Sequence, residues 1–140
     1  MWIFTLDGFY SAVQDKSDKD LIWVRSRVKE DLTRLIDTYE VNASEIYEDA
    51  GTDYKFRICV WREEWVRVVA DCVNDIDYNN FKGACLEELG KDRARVLGEV
   101  WLSMMKLQIN DAQKMYYGSF SKAHENIFEK KDEGNPGHDV

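Results

Sequence analysis

The chain has 140 residues and a mass of 16.5 kDa, a size that favours one compact domain over two. Hydrophobic residues make up 44% of it and charged residues 33%, a composition that supplies a core and excludes intrinsic disorder for most of the chain. The formal net charge of -8 argues against loose, charge-driven binding to DNA or anionic lipid.

The sequence carries no sign of export or membrane insertion. No apolar run approaches the roughly 18 residues of a membrane span, and Asp7 interrupts the apolar N-terminal stretch too early for a signal peptide. The three cysteines, Cys59, Cys72 and Cys85, are an odd number without a CxxC pair, which argues against a disulfide framework. We therefore expect a soluble chain in a reducing cytoplasm.

The first third of the chain predicts two strands and a helix. Residues 2–14 are rich in aromatic and branched side chains around Gly8, which predicts one long strand with a bulge at Asp7 and Gly8. A polar turn at 15–20 leads into an alternating segment at 21–27, which predicts the second strand of a hairpin. From Val28 to Tyr39 the apolar spacing changes to that of a helix.

The same order then repeats and is followed by further helices. Alternation and helical periodicity predict strands at 44–49 and 54–61 and helices at 65–76, 80–89 and 92–107. Asn80 is suited to begin one of these helices, Gly90 to end it and Asp92 to cap the last. The longest apolar stripes predict a set of residues buried together: Leu32, Leu35, Trp65, Val69, Val73, Leu97 and Trp101.

These elements predict an α+β fold. We expect a four-stranded antiparallel sheet in ββα-ββα order, with helices mainly on one face and a helical C-terminal part. Residues 1–108 are predicted to form a single α+β domain. Residues 109–140 are predicted to be a C-terminal extension, with a short helix at 121–131 and a disordered end at 132–140.

Five segments resemble, in order and separation, a family of short uncharacterised proteins of phages and bacteria that open with the pattern MWxFTxxGFYS. The segments in this chain are MWIFTLDGFYSAV, VRSRV, AGTDYKFRICV, DIDYNNFK and EVWLSMMKLQ. The resemblance covers most of Met1 to Gln108 and implies a mobile-element setting. Relatives often have proline where this chain has Trp61, and the segment from Ile109 onward has no counterpart in the pattern.

The sequence offers few residues for catalysis. Its only histidines, His124 and His138, lie in the predicted extension, and the cysteines lack histidines at metal-ligand spacing. The glycines match no phosphate-binding loop, so we expect no metal and no cofactor. The carboxylate pairs Glu63-Glu64, Glu87-Glu88 and Asp75/Asp77 leave an enzyme with carboxylate chemistry as an alternative. In so acidic a chain such pairs are typical of a solvated surface.

One group of residues indicates a binding surface. If Ile22 and Val24 face the helices, the period-two rule places basic and aromatic side chains on the opposite sheet face: Trp23, Arg25, Arg27, Lys55, Arg57 and Trp61. Such a face would stack bases and contact phosphates of single-stranded nucleic acid. The other interpretation is structural, with the basic groups paired to carboxylates such as Glu45 or Glu48.

We therefore expect a non-enzymatic accessory protein that acts by binding. The acidic helical exterior and small open sheet face favour a basic protein partner, such as a nucleic-acid-handling enzyme of the host or phage. The alternatives are a single-stranded nucleic-acid binder that uses the sheet face and an enzyme with carboxylate chemistry.

Overall fold

The structure is a computed structural model that describes residues 1–49 and 51–108. The chain divides into two compact units, Met1–Ala94 and Arg95–Val140. The helix predicted at 121–131 and the disordered end predicted at 132–140 lie outside the described residues. A single domain ending at residue 108 stays a prediction.

Residues 2–14 form a hairpin rather than one bulged strand. Strand β1 (Trp2–Phe4) pairs antiparallel with β2 (Phe9–Gln14), with Phe4 opposite Phe9. The Thr5 N–H donates to the Gly8 carbonyl over 2.9 Å, and the Thr5 hydroxyl accepts from the backbone N–H groups of Asp7 and Gly8. The predicted bulge is therefore wrong, because these residues are taken up by a tight turn that reverses the chain.

The sheet has five antiparallel strands in the order β1-β2-β3-β5-β4. The remaining strands are β3 (Leu21–Ser26), β4 (Tyr47–Glu48) and β5 (Phe56–Trp61). The α+β class is confirmed, and strands lie within all the predicted strand segments. The predicted number of four strands is wrong because the hairpin at the start of the chain contributes two.

The described residues form four α-helices: α1 (Lys29–Tyr39), α2 (Arg62–Asn74), α3 (Phe81–Leu89) and α4 (Lys91–Met105). A 3-10 turn, Lys106–Gln108, follows α4. The Asn80 side chain accepts a hydrogen bond from the Gly83 N–H at the start of α3, and Gly90 adopts a positive φ of 80° after its end. Both boundary residues therefore act as their sequence predicts.

The core lies between one face of the sheet and helices α1 and α2. Period-two alternation directs the same face of the central strands β3 and β5 toward these helices. The fully or nearly buried residues from the two layers are Tyr10, Ala12, Ile22, Val24, Leu32, Leu35, Val41, Ile58, Val60, Trp65 and Val68. Helices α1 and α2 thereby cover one side of the sheet.

The predicted buried set is confirmed only in part. Leu32, Leu35 and Trp65 are buried, and Val69 packs partly buried against them. Val73 is 60% exposed and Trp101 is 48% exposed, so their predicted burial is wrong. No residue of α4 is buried. A helical apolar stripe shows which face is apolar, and it does not determine whether another element covers that face.

Candidate binding face on the open side of the sheet

The face of the sheet opposite α1 and α2 carries several aromatic side chains. Strand register places Trp23 opposite Cys59 and Arg25 opposite Arg57, with their side chains pointing away from the core. We call this surface the open face. Its strand residues are Trp2, Phe4, Phe9, Ser11, Val13, Leu21, Trp23, Arg25, Tyr47, Arg57, Cys59 and Trp61.

Ring contacts order the aromatic residues of the open face. Phe4 and Phe9 stack with their centroids 4.5 Å apart, and Trp2 meets Phe9 edge-on at 5.7 Å. Across the sheet, Trp23 and Tyr47 form a second edge-on pair at 5.9 Å. Cross-strand aromatic pairs of this kind stabilise a sheet and hold rings in place. Trp61 lies at the end of β5 with 57% of its surface exposed.

Trp23 is further fixed by a hydrogen bond to the turn that precedes its strand. Its indole N–H donates to Asp15 Oδ2 over 2.7 Å. This bond, with the backbone N–H groups of Ser17 and Asp18, lowers the pKa of the Asp15 carboxyl below its usual range. Trp23 is therefore a rigid member of the open face.

Two of the predicted arginines lie over one tyrosine ring. The guanidinium carbons of Arg25 and Arg27 are 4.8 Å and 4.7 Å from the centroid of Tyr54, which is only 4% exposed. Arg25 also donates to the Ser11 hydroxyl over 2.8 Å, and Arg27 donates to the Asp53 carbonyl over 2.8 Å. Neither arginine forms an ion pair with a carboxylate of the described residues.

The other two predicted basic residues are paired with acidic groups. Lys55 Nζ lies 2.8 Å from Glu48 Oε1, and this contact lowers the pKa of the Glu48 carboxyl. Arg57 Nη2 donates to the Thr52 hydroxyl over 2.6 Å and to Asp49 Oδ2 over 3.4 Å. These ion pairs cancel part of the positive charge at the β4 side of the face.

The structure places four of the six predicted site residues on the open face: Trp23, Arg25, Arg57 and Trp61. The other two lie just outside the strands. Arg27 follows β3 and lies over the Tyr54 ring, whereas Lys55 precedes β5 and lies over the Phe56 ring. Sequence reasoning missed Tyr54 and the aromatic residues of the first hairpin. Alternation within 2–4 and 9–13 was the signal for the hairpin residues, and the predicted bulge obscured it.

A buried polar cluster surrounds Asp31 inside the fold. Asp31, in the first turn of α1, is 1% exposed, and its carboxylate accepts from Ser26 Oγ over 3.3 Å and from Arg34 Nη2 over 2.8 Å. Arg93 also donates to it, and the Phe9 N–H completes the set. The Tyr10 hydroxyl donates to the Asp31 carbonyl, and burial with the nearby carboxylates raises the pKa of Tyr10. These donors occupy both carboxylate oxygens of Asp31, so we assign this residue a structural role in holding the fold together.

The acidic and thiol side chains of the described residues are the remaining candidates for metal binding or catalysis. Among residues 1–49 and 51–108, no three His, Cys, Asp or Glu side chains are grouped to hold a metal ion. Burial raises the pKa values of the Cys59, Cys72 and Cys85 thiols, which favours the protonated, less nucleophilic form. The Glu64 carboxylate of the Glu63-Glu64 pair is bonded to Arg67 and to the Asn42 N–H.

Among the described helices, none combines the length and apolar character needed to cross a membrane. Comparison with known proteins found no family model, curated protein or solved structure that matches the chain.

Proposed function

We propose that the chain is a non-enzymatic binding protein that engages a protein partner through the open face. The observation that carries this proposal is the row of ordered, partly exposed aromatic side chains on the sheet face opposite the core. Tryptophan, tyrosine and arginine are the residues that most often dominate the energetics of protein interfaces. Rings already fixed by cross-strand contacts lose little conformational entropy when a partner covers them.

The charge distribution supports a protein rather than a polyanion as the partner. Lys55 and Arg57 are paired with Glu48 and Asp49, which leaves a weak positive field on one side of the face. The chain as a whole carries a formal charge of -8. Such a protein attracts basic partners. A nucleic-acid-handling enzyme of the host or phage has this character, in line with the resemblance to phage and bacterial proteins and a cytoplasmic location.

The experiment is affinity capture from a lysate of the native host, with and without nuclease. The full chain should retain a protein after nuclease treatment, and Trp61→Ala together with Tyr47→Ala should reduce its recovery about tenfold or more. Trp101→Ala is the matched control, because it removes a partly exposed tryptophan from a helix rather than from the sheet. Equal recovery by the open-face variant and the wild type would refute the proposal.

A single-stranded nucleic-acid binder is the second candidate, and one observation favours it. Arg25 and Arg27 have no carboxylate partner within the described residues and lie over the same Tyr54 ring, so their positive charge is available to phosphates. The test is a polarisation titration with single-stranded DNA and RNA at low salt. We expect no binding at tens of micromolar protein. Binding that weakens steeply with salt and is lost in Arg25→Ala with Arg57→Ala would favour this candidate instead.

A further inference from the structure

The outer edge of β1 is free of any strand within the described residues, since β1 stands at the end of the sheet. Its pairing with β2 fixes which backbone groups point outward. The Ala12 N–H donates to the Met1 carbonyl over 2.8 Å, and the Thr5 N–H donates to the Gly8 carbonyl. Hydrogen-bonded and non-bonded pairs alternate along an antiparallel ladder, so the N–H and C=O groups of Trp2 and Phe4 point away from β2.

A groove of about 350 Å³ adjoins this edge. Residues 3–7 line it on the sheet side. Apolar side chains at the end of α2 line it on the helix side, among them Val69, Val73 and Ile76. Val73 and Ile76 are largely exposed, so these apolar groups remain accessible from solvent. We call this feature the edge groove.

The edge groove is acidic. Its lining includes the carboxylates of Asp7, Asp75, Asp77 and Glu88 and contains no lysine or arginine. Asp7 accepts hydrogen bonds from the hydroxyls of Thr38 and Tyr39, each over 3.3 Å. Asp75, Asp77 and Glu88 form no ion pair with a cation of the described chain. Their charge is therefore available to a cation supplied from outside.

We propose that the β1 edge and the edge groove together accept an extended segment of another protein whose groove-facing side chains, every second one along the segment, are apolar and basic. The segment would add a strand beside β1 through the outward backbone groups of Trp2 and Phe4. Alternation along a strand sends every second side chain to one face, so this set of side chains faces the groove. Its apolar members contact the apolar floor of the groove, and its basic members pair with the carboxylates of Asp75, Asp77 and Glu88. This inference rests on the proposed protein-binding function and assigns it a second, distinct contact.

The first test uses NMR titration of the full chain with two short synthetic peptides. In one, valine and lysine take turns at every second position with threonine between them, and in the other, glutamate replaces each lysine. The lysine peptide should shift the backbone amide signals of Trp2, Phe4 and Ile76, and the glutamate peptide should leave them unchanged. Absence of shifts at millimolar lysine peptide, equal binding of both peptides, or shifts confined to Trp23 and Trp61 would each overturn the inference.

Two further comparisons separate charge from backbone pairing. A triple variant without the groove carboxylates should weaken binding of the lysine peptide about fivefold or more. Its substitutions are Asp75→Asn, Asp77→Asn and Glu88→Gln. A control triple variant removes the same charge outside the groove and should change binding less than about twofold. Its substitutions are Glu30→Gln, Glu45→Gln and Glu63→Gln. Two versions of the lysine peptide, one N-methylated at its threonines and the other at its valines and lysines, each lose one of the two alternate sets of amide donors. Only one set faces β1 in an added strand, so the two versions should differ in affinity. Equal binding of the two versions would contradict strand addition.

These results are independent of the test of the open face. Trp61→Ala should leave binding of the lysine peptide unchanged, because Trp61 lies on β5 and outside the groove. Loss of the captured partner in the variant that combines Trp61→Ala and Tyr47→Ala, with unchanged peptide binding in Trp61→Ala, supports both sites. Unchanged capture with intact peptide binding refutes only the proposed open-face function.

Discussion

The Asp31 carboxylate accepts a hydrogen bond from the Phe9 N–H over 3.0 Å and so joins the first turn of α1 to the first residue of β2. The bond links two elements that pack on different layers of the fold. Because the same carboxylate also receives Ser26, Arg34 and Arg93, it connects the hairpin, β3, α1 and the start of α4. Hydrogen bonds to a buried carboxylate are strong, and their loss leaves several donors without a partner.

Asp31→Ala should therefore destabilise the fold by about 3 kcal/mol or more. The substitution leaves the partly buried Phe9 N–H and the buried Ser26 hydroxyl without this acceptor. It also removes the negative charge that faces Arg93. Urea unfolding monitored by circular dichroism measures the change. Asp37→Ala, on an exposed part of the same helix, is the control and should change stability by less than about 0.5 kcal/mol.

Gly8→Ala should also destabilise, because a Cβ at this position would collide with the side chain of Asp31. Crowding of this kind costs about 1–3 kcal/mol in a packed interior. In an Asp31→Gly background the clashing side chain is absent, so the added cost of Gly8→Ala should fall below about 1 kcal/mol. A double-mutant cycle by urea unfolding measures this coupling. Strict additivity of the two substitutions would contradict steric contact as the cause.

The need for glycine at position 8 illustrates what the sequence could not show. Alternation at 21–27 and 54–61 predicted β3 and β5, since one face of each strand is buried against helices. The hairpin turn depends on Asp31, which lies far along the chain and resembles an ordinary acidic residue in a first helical turn. Periodicity reports local patterns, and it contains no information on this tertiary contact.

At the candidate site, too, the sequence predicted what depends on local alternation and missed what depends on tertiary contacts. Period-two alternation in the sequence predicted that Trp23, Arg25, Arg57 and Trp61 share a face, and the register of β3 and β5 places them there. The position of Tyr54 under two guanidinium groups was not predicted, since it precedes β5 and its burial depends on the β2 and β3 side chains that surround it.

The pKa of Glu64 should rise when Arg67 is replaced. In the wild type the Arg67 guanidinium, followed by the Asn42 N–H, lowers the pKa of the Glu64 carboxyl below its usual range. A carboxyl with a lowered folded-state pKa contributes stability above its unfolded pKa, and this contribution is lost as the pH falls through the folded pKa. Arg67→Met should move the pKa of Glu64 upward and reduce the loss of stability on acidification.

Carbon-detected NMR titration of the Glu64 carboxyl measures this shift directly. Arg95→Met removes an arginine that pairs with Glu99 and is the control, for which the pKa of Glu64 should stay at its wild-type value. A Glu64 titration that is identical in Arg67→Met and the wild type would contradict the assigned cause.

Trp65 should dominate the stability of α2, and its indole N–H should contribute little. The side chain is 6% exposed, and its Nε1 is buried with no hydrogen-bond partner among the described residues. Trp65→Ala should therefore cost about 3–5 kcal/mol through the cavity it leaves, whereas Trp65→Phe removes an unsatisfied donor that offsets part of the lost packing. We expect Trp65→Phe to cost less than half as much as Trp65→Ala in urea unfolding.

Trp101→Ala, at a half-exposed tryptophan, is the control and should cost less than about 1 kcal/mol. A cost for Trp65→Phe equal to that of Trp65→Ala would mean that the indole N–H has a partner in solution.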